Sequence, residues 1–145
     1  MVLDIREFRE NPEAVRESQR RRFARVESVD QVIELDTQWR KARHNLDQAS
    51  KELGQANKEI GMVHKSKKAG TVPTPEQAAE TEKKLAEFTA RKAEIERRIV
   101  ELTAQEEALK QQVAVKVATV GNLVHESVPV SNDEGKNGLV RTWGD

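Results

Sequence analysis

From Val32 to Val63, apolar residues recur at alternating steps of three and four: Val32, Leu35, Trp39, Ala42, Leu46, Ala49, Leu53, Ala56, Ile60 and Val63. This is a heptad repeat without a slip, with Val32, Trp39, Leu46, Leu53 and Ile60 at a and Leu35, Ala42, Ala49, Ala56 and Val63 at d. A strict 3.5-residue period keeps one narrow stripe facing one partner helix, the signature of a coiled coil. A helix on the surface of a globular domain shows a wider apolar face over a shorter run. A second ladder follows: Leu85, Phe88, Lys92, Ile95, Ile99, Leu102, Glu106, Leu109, Val113, Lys116 and Val120, interrupted by its three charged members. Between the two, Gly70-Thr71-Val72-Pro73 reads as a turn. A turn this short brings the two helices together antiparallel.

Local signals mark the ends. Ser28-Val29-Asp30-Gln31 and Thr74-Pro75-Glu76-Gln77 both match the capping box, the second with proline at the first helical position. Gly121 is the expected C-terminal cap of the second helix. The first helix, ending near Lys68, spans about 60 Å at the α-helical rise. Residues 1–27 carry two short helical signals for the base of the hairpin. Val2, Leu3, Ile5 and Phe8 form an expected apolar cluster, and Asn11-Pro12-Glu13 is an N-cap, a first-turn proline and a first-turn acid. Over residues 121–145, Pro129, Ser131, Asn132, Gly135, Asn137 and Gly138 break any helix, and the segment reads as an extended linker. The predicted fold is all-α: short N-terminal helices over 1–27, a long two-helix antiparallel coiled coil over 28–120 with its turn at about 69–74, and the linker over 121–145. Both ladders find a partner within one chain, so the expected state is a monomer. Ala at three consecutive d positions admits close backbone approach, and Lys92 is expected to lay its stem over that stretch.

Charge fixes the expected register. With the turn centred near 71–72, Glu59 falls opposite Lys84 and Glu52 opposite Arg91, acid against base at the g positions. These four are read as structural ion pairs. The 145 residues include 25 Lys and Arg against 25 Asp and Glu, so net charge does not mark a nucleic-acid binder and only its distribution can. Aromatics are 3% and charged residues 34%, which suits long helices better than a compact core. Without cysteine, disulfides and thiolate metal sites are excluded. No apolar run approaches the ~18 residues of a membrane span and no signal sequence opens the chain, so a cytoplasmic protein is expected.

No catalytic constellation is visible. His44, His64 and His125 are scattered, and no nucleophile lies beside a base. Arg20, Arg21 and Arg22 near a helix C-terminus complement its dipole, a structural reading set against phosphate binding. One surface feature stands apart. The f positions of the first helix, away from the partner, are Thr37, His44, Lys51, Lys58 and Lys65, flanked by Arg40, Lys41 and Lys68 at b and c and diluted only by Asp47. Gly54 and Gly61 lie on the same face. Small residues between lysines would let a phosphate backbone approach; an ordinary solvated lysine face accounts for the same residues. The charge pattern gives as candidate RNA contacts Arg40, Lys41, His44, Lys51, Lys58, Lys65, Lys67, Lys68, Lys83 and Arg97.

The run Asp36-Thr37-Gln38-Trp39-Arg40-Lys41-Ala42-Arg43 resembles the start of the N-terminal arm of cytosolic seryl-tRNA synthetases of eukaryotic type. Met1–Ile5, Arg16–Phe23, Gly121–Glu134 and the closing Val140–Asp145 are similar to the same family. The resemblance spans essentially the whole chain, and its ends are the specific parts. It implies a non-catalytic arm that binds the long variable arm and elbow of serine tRNA. It also implies a class II catalytic domain beyond Asp145 that uses ATP, Mg²⁺ and serine and forms the homodimer of the full-length enzyme. No catalytic, nucleotide or metal residue of that domain maps onto this chain. The alternative is a structural coiled-coil adaptor that binds protein.

Overall fold

A computed structural model describes residues 3–70 and 72–138 of the chain. Among these the fold is all-α and built on an antiparallel pair of long helices. In chain order the α-helices are α1 (Ile5–Glu10), α2 (Pro12–Arg21), α3 (Glu27–Lys68) and α4 (Pro75–Thr119), followed by a short 3₁₀ turn over Glu134–Lys136. α3 has 42 residues and α4 has 45. By contacts the chain divides into two units, one formed by Met1–Trp39 with Leu109–Asp145 and the other by Arg40–Ala108.

The first unit holds a small core. Leu3 and Phe8 from the N-terminal segment, Val15 of α2, Val29 and Val32 of α3, and Val113, Val117 and Val120 at the end of α4 are all buried, with Ile5, Ile33, Leu35 and Trp39 packed against them. The apolar cluster expected around α1 therefore exists, and it recruits α2 and the roots of both long helices; Val2 lies outside the described residues. α1 is started by Asp4, whose carboxylate accepts from the Arg6 N–H at 3.0 Å. α2 opens with Pro12 after Asn11, although the Asn11 side chain makes no capping bond.

Two ion-pair systems fasten the helices of this unit. Arg9 grips Asp36 bidentately, Nε to Oδ2 at 2.9 Å and Nη2 to Oδ1 at 2.6 Å, with the carboxylate almost fully buried; that hydrogen bond holds the guanidinium above its ordinary range. Arg16 joins Asp30 and Glu13, and Arg20 joins Glu13 and Glu17. Arg20 and Arg16 together hold Glu13 below the usual carboxylate range. The other two arginines of the cluster also lie against neighbours within this unit. Arg21 donates to the carbonyls of Glu126 and Val128 at 3.0 and 2.7 Å, and Arg22 lies so close to Gly121 that a Cβ there would meet its Nη1 at 2.7 Å. Residues 121–128 are strapped to α2, since Ser18 bridges the Asn122 carbonyl and the Val124 N–H and Gln19 accepts from the Gly121 N–H. The expected extended linker is thus docked over its first part.

The capping signals divide. Thr74 and Gln77 exchange both bonds of a capping box, at 3.3 and 3.4 Å. Ser28 does not cap α3, which starts one residue before it at Glu27; Gln31 instead accepts from the Lys116 ammonium at 2.9 Å. Glu27 is itself helical and acidic, so the first turn is stabilised one residue earlier than the box requires.

In the second unit, residues 40–68 of α3 run against residues 75–108 of α4. Ala42, Ala49 and Ala56 are buried at d, and Ile95 is the most enclosed residue of the facing ladder. Lys92 lies half-buried within the ladder with its ammonium 3.7 Å from Glu96. The ion pairs, however, are one heptad from their expected partners. Arg98 Nη1 reaches Glu52 Oε2 at 3.2 Å and Arg91 Nη1 lies 3.8 Å from Glu59 Oε2, while Lys84 bonds Glu80 on its own helix at 2.7 Å. The cause is the connection. Gly70, at φ 80°, follows the end of α3 in a conformation that favours glycine, and α4 begins only at Pro75. The first turn of α4 therefore lies beyond the last turn of α3, and pairing moves by a heptad from that of a symmetric turn.

Candidate nucleic-acid interface

The whole candidate RNA-contact set lies within the second unit. Arg40, Lys41, His44, Lys51, Lys58, Lys65, Lys67 and Lys68 are on α3, and all are exposed. The heptad puts Lys51, Lys58 and Lys65 on one line, about 10 Å apart at the α-helical rise. Among the described residues none of these three has a carboxylate within ion-pair distance. Lys83 and Arg97 are exposed on α4, at its own f positions. In a two-helix coil the f positions of the partners point in opposite directions, so the structure does not bring these two to the α3 stripe. Arg97 is engaged with Glu94 at 2.9 Å, a bond that raises its pKa.

Charge is segregated between the two legs of this unit. Arg40–Lys68 carries eight Lys and Arg against three Asp and Glu, whereas residues 75–108 carry six against nine. The outer face of α3 is therefore electropositive in a chain without net charge, which is the distribution a polyanion ligand needs. Gly54 and Gly61 add to it: a Cβ at either position would meet nothing within 4 Å. Internal packing does not require these glycines, although each lowers helix stability by about 1 kcal/mol relative to alanine.

The described residues bring together no three His, Asp or Glu side chains at metal-binding distance, and none of their helices is long and apolar enough to cross a membrane.

Comparison with known proteins completes the picture. The family model described as the seryl-tRNA synthetase N-terminal domain matches residues 2–124. A serine–tRNA ligase of Helianthus annuus is 43% identical over 99% of this chain and 30% of its own length, and the cytoplasmic serine–tRNA ligase of Saccharomyces cerevisiae is 38% identical over 98% and 28%. Among solved structures, the cytoplasmic serine–tRNA ligase of Naegleria fowleri in complex with AMP superposes with a TM-score of 0.77 at 34% identity, covering 100% of this chain and 36% of that one. Seryl-tRNA synthetase from Pyrococcus horikoshii, complexed with ATP, gives a TM-score of 0.77 at 33% identity, covering 98% and 29%. The chain spans about a third of the length of these relatives. With the matched residues running from α1 through both long helices to the strapped segment at Val124, this chain belongs to the seryl-tRNA synthetase N-terminal domain family.

Proposed function

We propose that this chain is the tRNA-binding part of a cytoplasmic serine–tRNA ligase, and that the outer face of α3 in the second unit holds the phosphate backbone of the long variable arm of serine tRNA. The observation that carries the reading is the segregation of charge: Lys51, Lys58 and Lys65 stand in line, without an ion-pair partner among the described residues, on a leg with a large basic excess. Backbone contacts position an RNA helix without reading its bases, and A-form RNA is recognised by shape and by its phosphates and 2′-hydroxyls. Selectivity then comes from the length and direction of the RNA arm. Arg40, Lys41, His44, Lys67 and Lys68 extend the same surface, and Lys83 and Arg97 lie on a different face. Serylation itself, with ATP, Mg²⁺ and a homodimer, belongs in this reading to the part of the enzyme that these relatives contain and this chain does not.

The test is a salt series of binding measurements with serine tRNA and with a tRNA of short variable arm. The Lys51→Glu, Lys58→Glu, Lys65→Glu variant should bind serine tRNA more weakly, and its log affinity should fall less steeply with log salt, by about 2 to 3 in slope. Unchanged affinity in a folded variant discards the stripe. Equal wild-type binding to both tRNAs discards recognition of the variable arm and favours a coiled-coil adaptor with a generic basic face.

A further inference from the structure

The g positions of the two legs form a ladder down one side of the second unit. Two of its layers are the ion pairs Glu59–Arg91 and Glu52–Arg98. The next layer in the same register is Asn45 opposite Gln105, where charge gives way to amides. Here the surface opens into a groove of about 370 Å³ lined by Asn45, Gln48, Arg98, Glu101, Leu102 and Gln105. Among the described residues, the side chains of Asn45, Gln48 and Gln105 make no hydrogen bond. Three amides thus line one groove, next to two rungs closed by ion pairs.

The groove adjoins the basic stripe. Gln48 precedes Lys51 by one turn on α3, and three-residue neighbours on a helix lie side by side. Going around α3, the c position of Gln48 falls between the f position of Lys51 and the g position of Asn45. A phosphate backbone held on Lys51 and Lys58 would therefore run along the lip of this groove. The chemistry of the groove is wrong for phosphate: Arg98 is already bound to Glu52, and Glu101 adds a negative charge. It is right for a group that both donates and accepts, since each amide offers an oxygen acceptor and two N–H donors and the carboxylate accepts. On A-form RNA the group next to the phosphates on the shallow groove is the ribose 2′-hydroxyl.

We propose that Asn45, Gln48 and Gln105 form a ribose-reading subsite that hydrogen-bonds 2′-hydroxyls of the RNA helix whose phosphates lie on the lysine stripe. The inference rests on the RNA-binding reading above and assigns to this face a second role. Lysines supply attraction that any polyanion shares, and the amides distinguish RNA from a polyanion of the same shape. The three amide side chains are exposed, and their removal leaves the buried alanine seam untouched.

The experiment uses the full 145-residue chain, serine tRNA, and the same tRNA with 2′-fluoro nucleotides in the variable arm, which keep the A-form but cannot donate. Wild type should favour the hydroxylated arm by about tenfold, the effect of two or three lost hydrogen bonds. The Asn45→Ala, Gln48→Ala, Gln105→Ala variant should lose that preference while keeping the wild-type salt slope, and the lysine-reversal variant should lose slope while keeping the preference. A wild type indifferent to 2′-fluoro substitution, or an amide variant with the wild-type preference, overturns the subsite and leaves the lysine stripe standing. A wild type that binds neither RNA overturns both.

Discussion

Asp36 carries a charge into the least accessible part of the first unit, where only a specific partner makes it tolerable. Arg9 supplies that partner through two parallel N–H···O bonds, tying α1 to α3 across a sequence separation of 27. Removal of one member leaves the other desolvated without full compensation. We expect Arg9→Leu to lower unfolding stability by about 2 kcal/mol in a urea titration, and Arg9→Lys, which cannot reproduce the fork, to recover only part of it. A loss below a few tenths of a kcal/mol would show that the pair does not hold α1 down. Nothing in the periodicity marks this pair: Asp36 sits at an e position, where an acid normally faces water, and its burial follows from α1 lying over the root of α3. The lysines of the candidate interface are the opposite case. For Lys51, Lys58 and Lys65 exposure follows directly from the f position.

At the scale of the elements, both ladders were legible because burial in a coiled coil depends only on heptad position. Every member of each ladder is buried or half-buried, including Lys92, Glu106 and Lys116. Register was not legible, because it depends on how the chain crosses from one helix to the next, and the observed rungs centre near residue 75 rather than 71–72. The amide layer escaped notice for the same reason: Asn45 and Gln105 meet only in the observed register. Double-mutant cycles test it. Glu52 with Arg98 and Glu59 with Arg91 should couple by about 0.2 to 1 kcal/mol, the range for exposed pairs, while Glu52 with Arg91 should show no coupling. The reverse ranking would restore the symmetric turn.

For the molecule as a whole, stability is concentrated in the first unit, where α1, α2 and the strapped segment add layers to the two long helices. In the second unit side chains lose their cover towards the connection: residues 64–70 and 72–77 are exposed throughout, and Val72 is 98% exposed. Local opening tracks buried contact, so amide protons within the last turns of α3 and the first of α4 should exchange far faster than those around Val29 and Val32. Uniform protection along α3 would contradict this. The paired ladder also constrains how such a hairpin can change over evolutionary time. Deleting one residue from one leg rotates everything beyond it by about 100° and throws lysines into the seam. Deleting seven from one leg alone preserves the faces but mismatches every rung. Only matched heptads, removed from or added to both legs at the connection, keep alanine seam, ion pairs and basic stripe in phase. Lineages of this family should therefore differ in arm length by steps of about 10 Å, so that a substrate RNA whose own arm lengthens by a base pair or two meets a protein that can answer only in larger increments.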